Sequence, residues 1–216
     1  MLKQKIWPLA LGLIGLTTAA SAVYADEQAI SEYQFAVNDA TELSIDSGVA
    51  EVEFIRGEAG EVQIELTVKK TKGSLLPSDP DIHGVTLVSD WRGNQLQLSV
   101  SPDDDIHTHW RVTLPKMAAI DVDVGVGEIY GAVDTTDTRL NLGVGKVELA
   151  LYGDDISRIF ADVGIGKSSV SGMTSGDIEQ TRAIVSSETE ARGNGRYRIS
   201  ADVGVGDAGF TVFQLK

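Results

Sequence analysis

Hydrophobic and polar residues alternate along most of the chain, a pattern that predicts β-strands. In the segment DVDVGVGEIYG, residues 121–131, every second position up to Val126 is valine, and the next apolar residue, Ile129, follows a second glycine. Alternate residues of a strand face opposite sides, so the apolar row passes from even to odd positions at the glycines. No part of the chain after its amino end has the spacing of an amphipathic helix. The sequence therefore predicts an all-β protein.

The glycine segment is an internal repeat. Four copies have two glycines on either side of one aliphatic residue, and their first glycines, at positions 125, 143, 164 and 204, are 18, 21 and 40 residues apart. A fifth copy, Asp46–Val52, has alanine at the second glycine position. A period near 20 residues is typical of stacked coils. We therefore predict a single-stranded β-solenoid, similar to a β-helix, with coils of about 20 residues and a degenerate coil near RAIVSSETEA.

Each copy is predicted to form a strand, a sharp corner and a second strand, with both apolar rows buried against the next coil. The apolar rows change parity within the motif, since residues 122, 124 and 126 are followed by 129, and residues 140, 142 and 144 by 147. We expect the second glycine to permit a bulge or a positive backbone dihedral, and the first to let neighbouring backbone approach. A phosphate-binding loop is the competing interpretation, but it requires a third glycine and a following helix. The predicted corner glycines are Gly125, Gly127, Gly143, Gly145, Gly164, Gly166, Gly204 and Gly206.

Residues 60–116 also alternate but lack the double glycine. Apolar rows occupy residues 62–68 and 96–100, with a loop that contains proline and glycine between them, and a further strand is predicted from Ile106 to Leu114. We expect antiparallel or mixed strands that cap the solenoid, because an uncovered end promotes aggregation. The predicted organisation is a signal peptide at 1–25, an N-terminal β-rich part of the solenoid domain at 26–116, and the regular repeats at 117–216.

The amino end has the composition of a secretory signal peptide. Two lysines precede an apolar run over residues 6–16, and small residues allow cleavage after Ala25 or after Ala22. The run is shorter than the ~20 residues of a membrane-spanning helix, so we expect a mature chain without a membrane span, in the periplasm or outside the cell. The chain has no cysteine, which excludes disulfides, thiolate metal sites and a lipid-modified amino terminus.

The protein is acidic. Its formal charge at pH 7 is −14, and residues 1–25 contain two lysines and no acid, so the mature chain would carry −16. A negative field disfavours nucleic acids and anionic membranes as partners and leaves cations and basic proteins. The motif acids would form a row across stacked coils, which we expect to be solvated; binding of a cation or a basic partner is the alternative. They are Asp46, Asp123, Asp162 and Asp202, with Asn141 at the equivalent position.

The candidate metal ligands precede the regular repeats. His107 and His109 share one strand face and, with acids of nearby turns, could form a zinc or copper site. Arg111 on the same face disfavours a cation, so a solvated polar face is the favoured interpretation. The turn residues concerned are Asp79, Asp81, His83, Asp103, Asp104 and Asp105. No G-x-S-x-G segment occurs and the many acids single out no catalytic pair, so we expect a non-enzymatic protein without a cofactor.

Three segments resemble the bacterial putative-adhesin family, whose domains contain toast-rack β-strand repeats. They are SGVAEVEF, the junction RVTLPKMAAIDVDVGVGEIYG and the unit LNLGVGKVEL, and the resemblance covers roughly residues 42–213. It implies a right-handed solenoid in the bacterial envelope, without assigned catalysis, and it transfers no functional residue to this chain. Many relatives have a membrane anchor after the signal, which we do not expect here.

The leading hypothesis is an exported, non-catalytic β-solenoid that serves as a binding, adhesin-like or scaffolding module in the bacterial cell envelope. Its partner would be an envelope protein or a polysaccharide. One alternative is a polysaccharide-binding or polysaccharide-active β-helix, which an acidic groove would favour. Another is a periplasmic metal-binding protein that uses His107 and His109.

Overall fold

A computed structural model describes residues 20–25, 28–58, 60–70, 81–173, 178–182 and 185–214. All regular secondary structure in these ranges is β-strand, and the strands form one mixed sheet, which confirms the all-β prediction. The strands are β1 Ala20–Ala25, β2 Gln28–Ala36, β3 Glu42–Arg56, β4 Glu61–Lys70, β5 Thr86–Arg92, β6 Gln95–Ser101, β7 Ile106–Leu114, β8 Ala119–Asp134, β9 Asp137–Tyr152, β10 Ile156–Ser171, β11 Ile178–Arg182, β12 Ser187–Arg192 and β13 Tyr197–Phe213.

Five long strands form the centre of the sheet. β3, β8, β9, β10 and β13 have 15 to 17 residues each and contain the five copies of the glycine motif. In the spatial order β3-β8-β9-β13-β10 they pair in parallel and in register, so equivalent motif residues are neighbours. Val144, for example, pairs with Val126 on one side and with Val205 on the other.

The order of the motif strands in the sheet differs from their order in the chain. The repeat predicts that each unit lies beside the next one, but β13 lies between β9 and β10. The segment in which we predicted a degenerate coil contains β12, which pairs antiparallel with β10 on the side away from β13. Because the units carry equivalent side chains at equivalent positions, β13 matches the rows of β9 as well as β10 would.

The long strands turn back on themselves at the motif. β8 ends at Asp134 and β9 begins at Asp137, yet the first residues of the two strands, Ala119 and Asp137, are paired. Three residue steps span at most about 11 Å, whereas a straight strand of the length of β8 would extend about 53 Å. The carboxyl end of β8 must therefore lie close to its amino end, with the bend between them.

The core lies between the two arms of each bent strand. In β9, Leu140 and Leu142 are buried before the glycines, and Val147, Leu149 and Leu151 are buried after them. The inward-facing row thus passes from even to odd positions. Buried residues of the N-terminal part and of the repeats belong to one cluster, so sheet and core continue across the predicted boundary after residue 116.

The corner differs from the prediction in one respect. We expected Val126 and Val144 to belong to the buried rows, but both are exposed, as are Ile165 and Val205 at the same motif position. The chain bends around the glycines, so the aliphatic residue between them points outward. This is why five positions, not two, separate the inward-facing side chains on either side of the corner, as at residues 142 and 147 in β9.

Further strands cover both ends of the parallel set. At one end, β6 pairs with the first arm of β3 and β7 pairs with its second arm, while β4 and β2 continue the sheet beyond β7 and β5 pairs with β6. At the other end, β12 and β11 continue the sheet beyond β10. The alternating apolar rows predicted within residues 62–68 and 96–100 are buried.

The predicted signal peptide lies mostly outside the described residues. These exclude residues 1–19 and therefore the whole apolar run of that segment. Residues 20–25 form β1, which pairs antiparallel with β2. Within the described part of the chain, no helix has the length and apolar character needed to cross a membrane.

Candidate functional site at the glycine corners

The backbones of neighbouring units meet at the two glycines of each motif. Gly145 has a φ of +143°, and a Cβ atom at this position would overlap the carbonyl oxygen of Gly127. A Cβ atom on Gly143 would lie 2.5 Å from the carbonyl oxygen of Gly125. No side chain fits between corners stacked at this distance, so both positions require glycine.

The aliphatic residue between the glycines faces solvent, and across the sheet these residues form one row in strand register. Four of them, residues 126, 144, 165 and 205, expose 42–53% of their surface. Val185 continues the row beyond β10, because its carbonyl oxygen accepts a hydrogen bond from the backbone N–H of Gly166. We call this row the aliphatic ridge. In spatial order its residues are Val49, Val126, Val144, Val205, Ile165 and Val185.

A row of acids runs beside the ridge. On each long strand it lies three residues before the ridge residue, and its members are paired by strand register. Among the described residues, none forms an ion pair or a hydrogen bond with the side chains of these acids. We call this row the acidic row. In spatial order its residues are Asp46, Asp123, Asn141, Asp202, Asp162 and Glu188.

Several other carboxylates of the sheet are bound to arginines. Arg196 Nε lies 2.7 Å from Asp155 Oδ2, and Arg158 Nε lies 2.7 Å from Glu190 Oε1. The hydrogen bond from Arg196 lowers the pKa of Asp155, and the hydrogen bond from Arg192 is the largest cause that lowers the pKa of Glu190. The acidic row differs from these carboxylates because no lysine, arginine or histidine of the described residues forms an ion pair with it.

The opposite flank of the ridge has charges of both signs. The row two residues after the ridge consists of Glu51, Glu128, Lys146, Asp207 and Lys167. Within it, Lys146 forms an ion pair with Glu148, and the hydrogen bond to that carboxylate raises the pKa of Lys146. This flank has three acids and two lysines, a formal net charge of −1, whereas the acidic row has five acids and no base.

His107 and His109 lie on one face of β7, each beside a glutamate of β3. His107 Nε2 is 3.5 Å from Glu51 Oε1, and His109 Nε2 is 3.7 Å from Glu53 Oε2. Arg111 Nε donates a hydrogen bond of 2.9 Å to the same Oε2 atom of Glu53. In the part of the chain that the structure describes, no three His, Cys, Asp or Glu side chains are placed to hold one metal ion. The zinc or copper site stays a prediction from the sequence.

Tyr130 extends this group of charges to β8. Its hydroxyl lies 3.3 Å from His109 Nε2. Burial raises the pKa of Tyr130, and the charges of Glu53 and Glu51 raise it further. The raised pKa keeps the phenol protonated at neutral pH, within hydrogen-bond distance of the histidine nitrogen. The group links three strands through side-chain contacts on the sheet surface.

The predicted turn acids are separate from these histidines. Asp81 Oδ1 accepts a hydrogen bond of 3.1 Å from the backbone N–H of His83, which stabilises the local turn. Asp79 lies outside the described residues. Residues 103–105 are exposed in the turn before β7. No described acid joins the two histidines of β7 in a group that could hold a metal ion.

The sequence did not reveal two groups of buried hydroxyls. In one, Trp110 Nε1 donates to Thr108 Oγ1 at 2.9 Å. In the other, Ser168 Oγ lies 2.8 Å from Ser187 Oγ and 2.7 Å from Thr189 Oγ1. The Thr108 hydroxyl also contacts a serine hydroxyl of β3, so the first group joins β3 and β7 at one end of the parallel set. The second group joins β10 and β12 at the other end. We assign both groups a structural role, because they satisfy buried polar atoms.

The aliphatic ridge was also missed, since its valines were assigned to the core. The available signal was the spacing of inward-facing residues. In β9 the last inward residue before the corner is Leu142 and the first after it is Val147, so Val144 fits the row of neither arm. A single aliphatic residue between two glycines, placed where the parity changes, therefore indicates an exposed corner residue.

No family model matches this chain, and no curated protein matches it. Among solved structures, a "putative cell adhesion protein" from Clostridium sporogenes has 12% identity and a TM-score of 0.49, and the match covers 85% of this chain and 100% of that chain. A "putative lipid binding protein" from Parabacteroides distasonis has 7% identity and a TM-score of 0.25, covering 87% and 97%. A "putative adhesin" from Bacteroides fragilis has 10% identity and a TM-score of 0.26, covering 84% and 96%.

Proposed function

We propose that the chain is an exported, non-catalytic β-solenoid that serves as a binding, adhesin-like or scaffolding module in the bacterial cell envelope. The observation that carries this proposal is the set of side-chain rows across the sheet. Equivalent residues of five strands lie side by side. The surface thus presents the same chemistry at successive strands and offers a partner a long line of contact, as extended repeat proteins do.

The bent strands support the solenoid part of the proposal. A solenoid coil requires that the chain return to its starting point before the next coil begins. The pairing of Ala119 with Asp137, three residues after the end of β8, meets this requirement. The glycine corners provide the bend, and the in-register pairing provides the stacking.

The non-catalytic part of the proposal is supported by the sequence. No G-x-S-x-G segment occurs in it, and its many acids single out no catalytic pair. Arginine contacts lower the pKa of Asp155 and of Glu190, which is typical of ion pairs on a surface.

Export is the second component of the proposal. It is supported by the basic and then apolar composition of residues 1–16 and by the small residues that follow. Cleavage after Ala25 would remove β1 and leave β2 as the edge strand of the sheet. Cell fractionation followed by amino-terminal sequencing tests this component. We expect an exported chain that begins at Asp26 or Val23, whereas an uncleaved chain in the cytoplasm would contradict it.

A polysaccharide ligand is the second candidate, because a polar groove lies between β3 and the β5-β6 hairpin. Hydroxyl, carboxylate, amide and guanidinium groups supply the donors and acceptors that sugar hydroxyls require. The groove is lined by Ser44, Asp46, Asp90, Arg92, Gln97 and Ser99, together with Val88 and Leu98.

Affinity capture from solubilised envelope tests the binding function. The purified chain serves as bait, with calcium and with chelator in parallel, and an unrelated exported β-protein of similar net charge serves as the matched control. Mass spectrometry and glycan analysis identify what is retained. We expect one envelope component that is enriched on the chain and absent from the control. Retention of glycan alone would favour the polysaccharide candidate, and equal retention on both baits would contradict the proposal.

A further inference from the structure

We propose that the aliphatic ridge and the acidic row together form a docking surface for a cationic amphipathic α-helix of a partner protein. This inference rests on the proposed binding function and specifies the chemistry of the partner. The apolar face of the helix contacts the ridge. Lysine or arginine side chains on the adjacent face of the helix pair with the acidic row.

The exposed apolar side chains of the protein are concentrated on the ridge. Nine large apolar side chains are exposed in the described part of the chain, and five of them are consecutive in the ridge, from Val126 to Val185. They form one strip across neighbouring strands instead of isolated contacts with water. A contiguous apolar strip bordered by polar residues is typical of an interaction site.

The acidic row indicates that the partner is positively charged. It places five carboxylates on six neighbouring strands, and no described residue forms an ion pair with any of them. Neighbouring strands are about 4.8 Å apart, so these like charges repel one another. A partner with a row of cations removes this repulsion while its apolar groups cover the ridge.

The same charge disfavours two other occupants. A second copy of the chain would bring its own acidic row and a formal charge of −14 to the interface. An anionic lipid surface would also be repelled. Both occupants could cover the apolar strip, but neither supplies the cations that the acidic row lacks.

The dimensions of the ridge fit a helix better than an extended peptide. Six strands at a separation of about 4.8 Å span about 24 Å, which is the length of about 16 helical residues. One helical turn advances about 5.4 Å, close to the strand separation, whereas same-face residues of an extended peptide are about 6.8 Å apart. Apolar side chains on successive helical turns therefore contact successive ridge residues.

A synthetic peptide tests the surface directly. The probe has about 16 residues, with leucines along one helical face, lysines along the adjacent face and a fluorescent label. A scrambled peptide of the same composition is the control. Fluorescence anisotropy with the purified chain should show binding of the amphipathic peptide that is at least roughly tenfold tighter than binding of the scrambled peptide. Equal affinities, or no binding of either peptide, would overturn the proposal.

Matched variants test the ridge. Val144→Ser replaces a ridge valine, and Ile178→Ser replaces an isoleucine of similar exposure on β11, outside both the ridge and the polar groove. We expect the first variant to weaken peptide binding roughly fivefold, since it removes apolar area from the contact, and the second to leave it unchanged. Equal effects of the two variants would place the contact elsewhere.

Two double variants that have the same net charge as each other test the acidic row. Asp123→Asn with Asp202→Asn removes two charges from the row, and Asp104→Asn with Asp154→Asn removes two charges from exposed turns. We expect roughly tenfold weaker peptide binding for the first pair at low salt, with a smaller difference at high salt because ions screen exposed charges. Equal weakening in both pairs would show attraction to net charge alone and would contradict the assigned row.

Capture from solubilised envelope distinguishes a failure of the docking surface from a failure of the proposed binding function. A bait with Val144→Ser and Asp123→Asn that still retains the component captured by the unmodified chain would leave the binding function intact and overturn the docking surface. Loss of that component from this bait, with retention by the Ile178→Ser and Asp104→Asn bait, would support the surface. Peptide binding without any captured component would support the surface and contradict the proposed function.

Discussion

Gly145 and Gly127 are paired on neighbouring parallel strands, and a Cβ atom on Gly145 would overlap the carbonyl oxygen of Gly127. The φ of Gly145 is also +143°, so any other residue would combine backbone strain with separation of the two strands. We expect Gly145→Ala to lower the free energy of unfolding by about 3 kcal/mol, measured by urea denaturation.

Gly48→Ala is the matched control for this experiment. Gly48 occupies the first glycine position of β3, and a Cβ atom there would have no heavy atom within 4 Å. We expect this change to alter the free energy of unfolding by at most about 0.5 kcal/mol. Equal destabilisation by the two substitutions would contradict the stacked corner.

Leu142 and Val144 are two residues apart in β9 but differ in environment. Leu142 is buried in the core, and Val144 is exposed on the ridge. Leu142→Ala should lower the free energy of unfolding by about 3 kcal/mol because it leaves a cavity, whereas Val144→Ala should change it by at most about 0.5 kcal/mol. Thermal or urea unfolding of both variants measures the difference. Similar destabilisation would mean that Val144 belongs to the core after all.

The fully buried indole of Trp110 forms a hydrogen bond with Thr108. Its Nε1 donates to Thr108 Oγ1 at 2.9 Å, and the Thr108 hydroxyl donates to the carbonyl oxygen of Val49 at 3.2 Å. Thr108→Val keeps the shape of the side chain but leaves the indole N–H without an acceptor, so we expect a loss of about 2 kcal/mol in the free energy of unfolding. Thr113→Val is the control and should be nearly neutral, because the hydroxyl of Thr113, on the same strand, has no hydrogen-bond partner among the described residues. Equal losses would exclude the indole hydrogen bond as the cause.

The ion pair of Asp155 and Arg196 predicts a pH dependence of stability. Hydrogen bonds from Arg196 lower the pKa of Asp155 in the folded protein. The stabilisation by this ion pair is therefore fully present above a pH of about 4, the pKa of an aspartate in the unfolded chain. It is lost as the pH falls through the lower pKa that Asp155 has in the folded protein. We expect Asp155→Asn to be less stable than the unmodified protein at neutral pH and the difference to vanish in acid. Urea denaturation across this pH range measures it.

Asp154→Asn is the control for the pH experiment. Asp154 is the exposed neighbour of Asp155, and no described residue forms an ion pair with it. Its substitution should leave the pH dependence of stability unchanged. If Asp154→Asn and Asp155→Asn gave the same profile, the contact with Arg196 would not contribute to folding.

The position of β13 between β9 and β10 could not be predicted from the sequence. Gly206 pairs with both Gly145 and Gly166, so its strand separates two units that follow one another in the chain. Nearly identical units offer nearly identical rows to a neighbour, so the side-chain pattern does not rank one order above another. The order depends on how the chain closes through β11 and β12, which is a property of the whole sheet.

The sequence by itself determined the strands, the corners and the alternation of buried and exposed faces. These features follow from local chemistry: the period of two in a strand, and the glycines that a tight corner requires. Only the tertiary structure decided that Val144 and its equivalents face solvent and that the histidines of β7 lie beside Glu51 and Glu53. It also decided that no basic side chain in the described part of the chain pairs with the acidic row. Those relations depend on which strands are neighbours and on where each strand bends, and residues far apart in the chain set both.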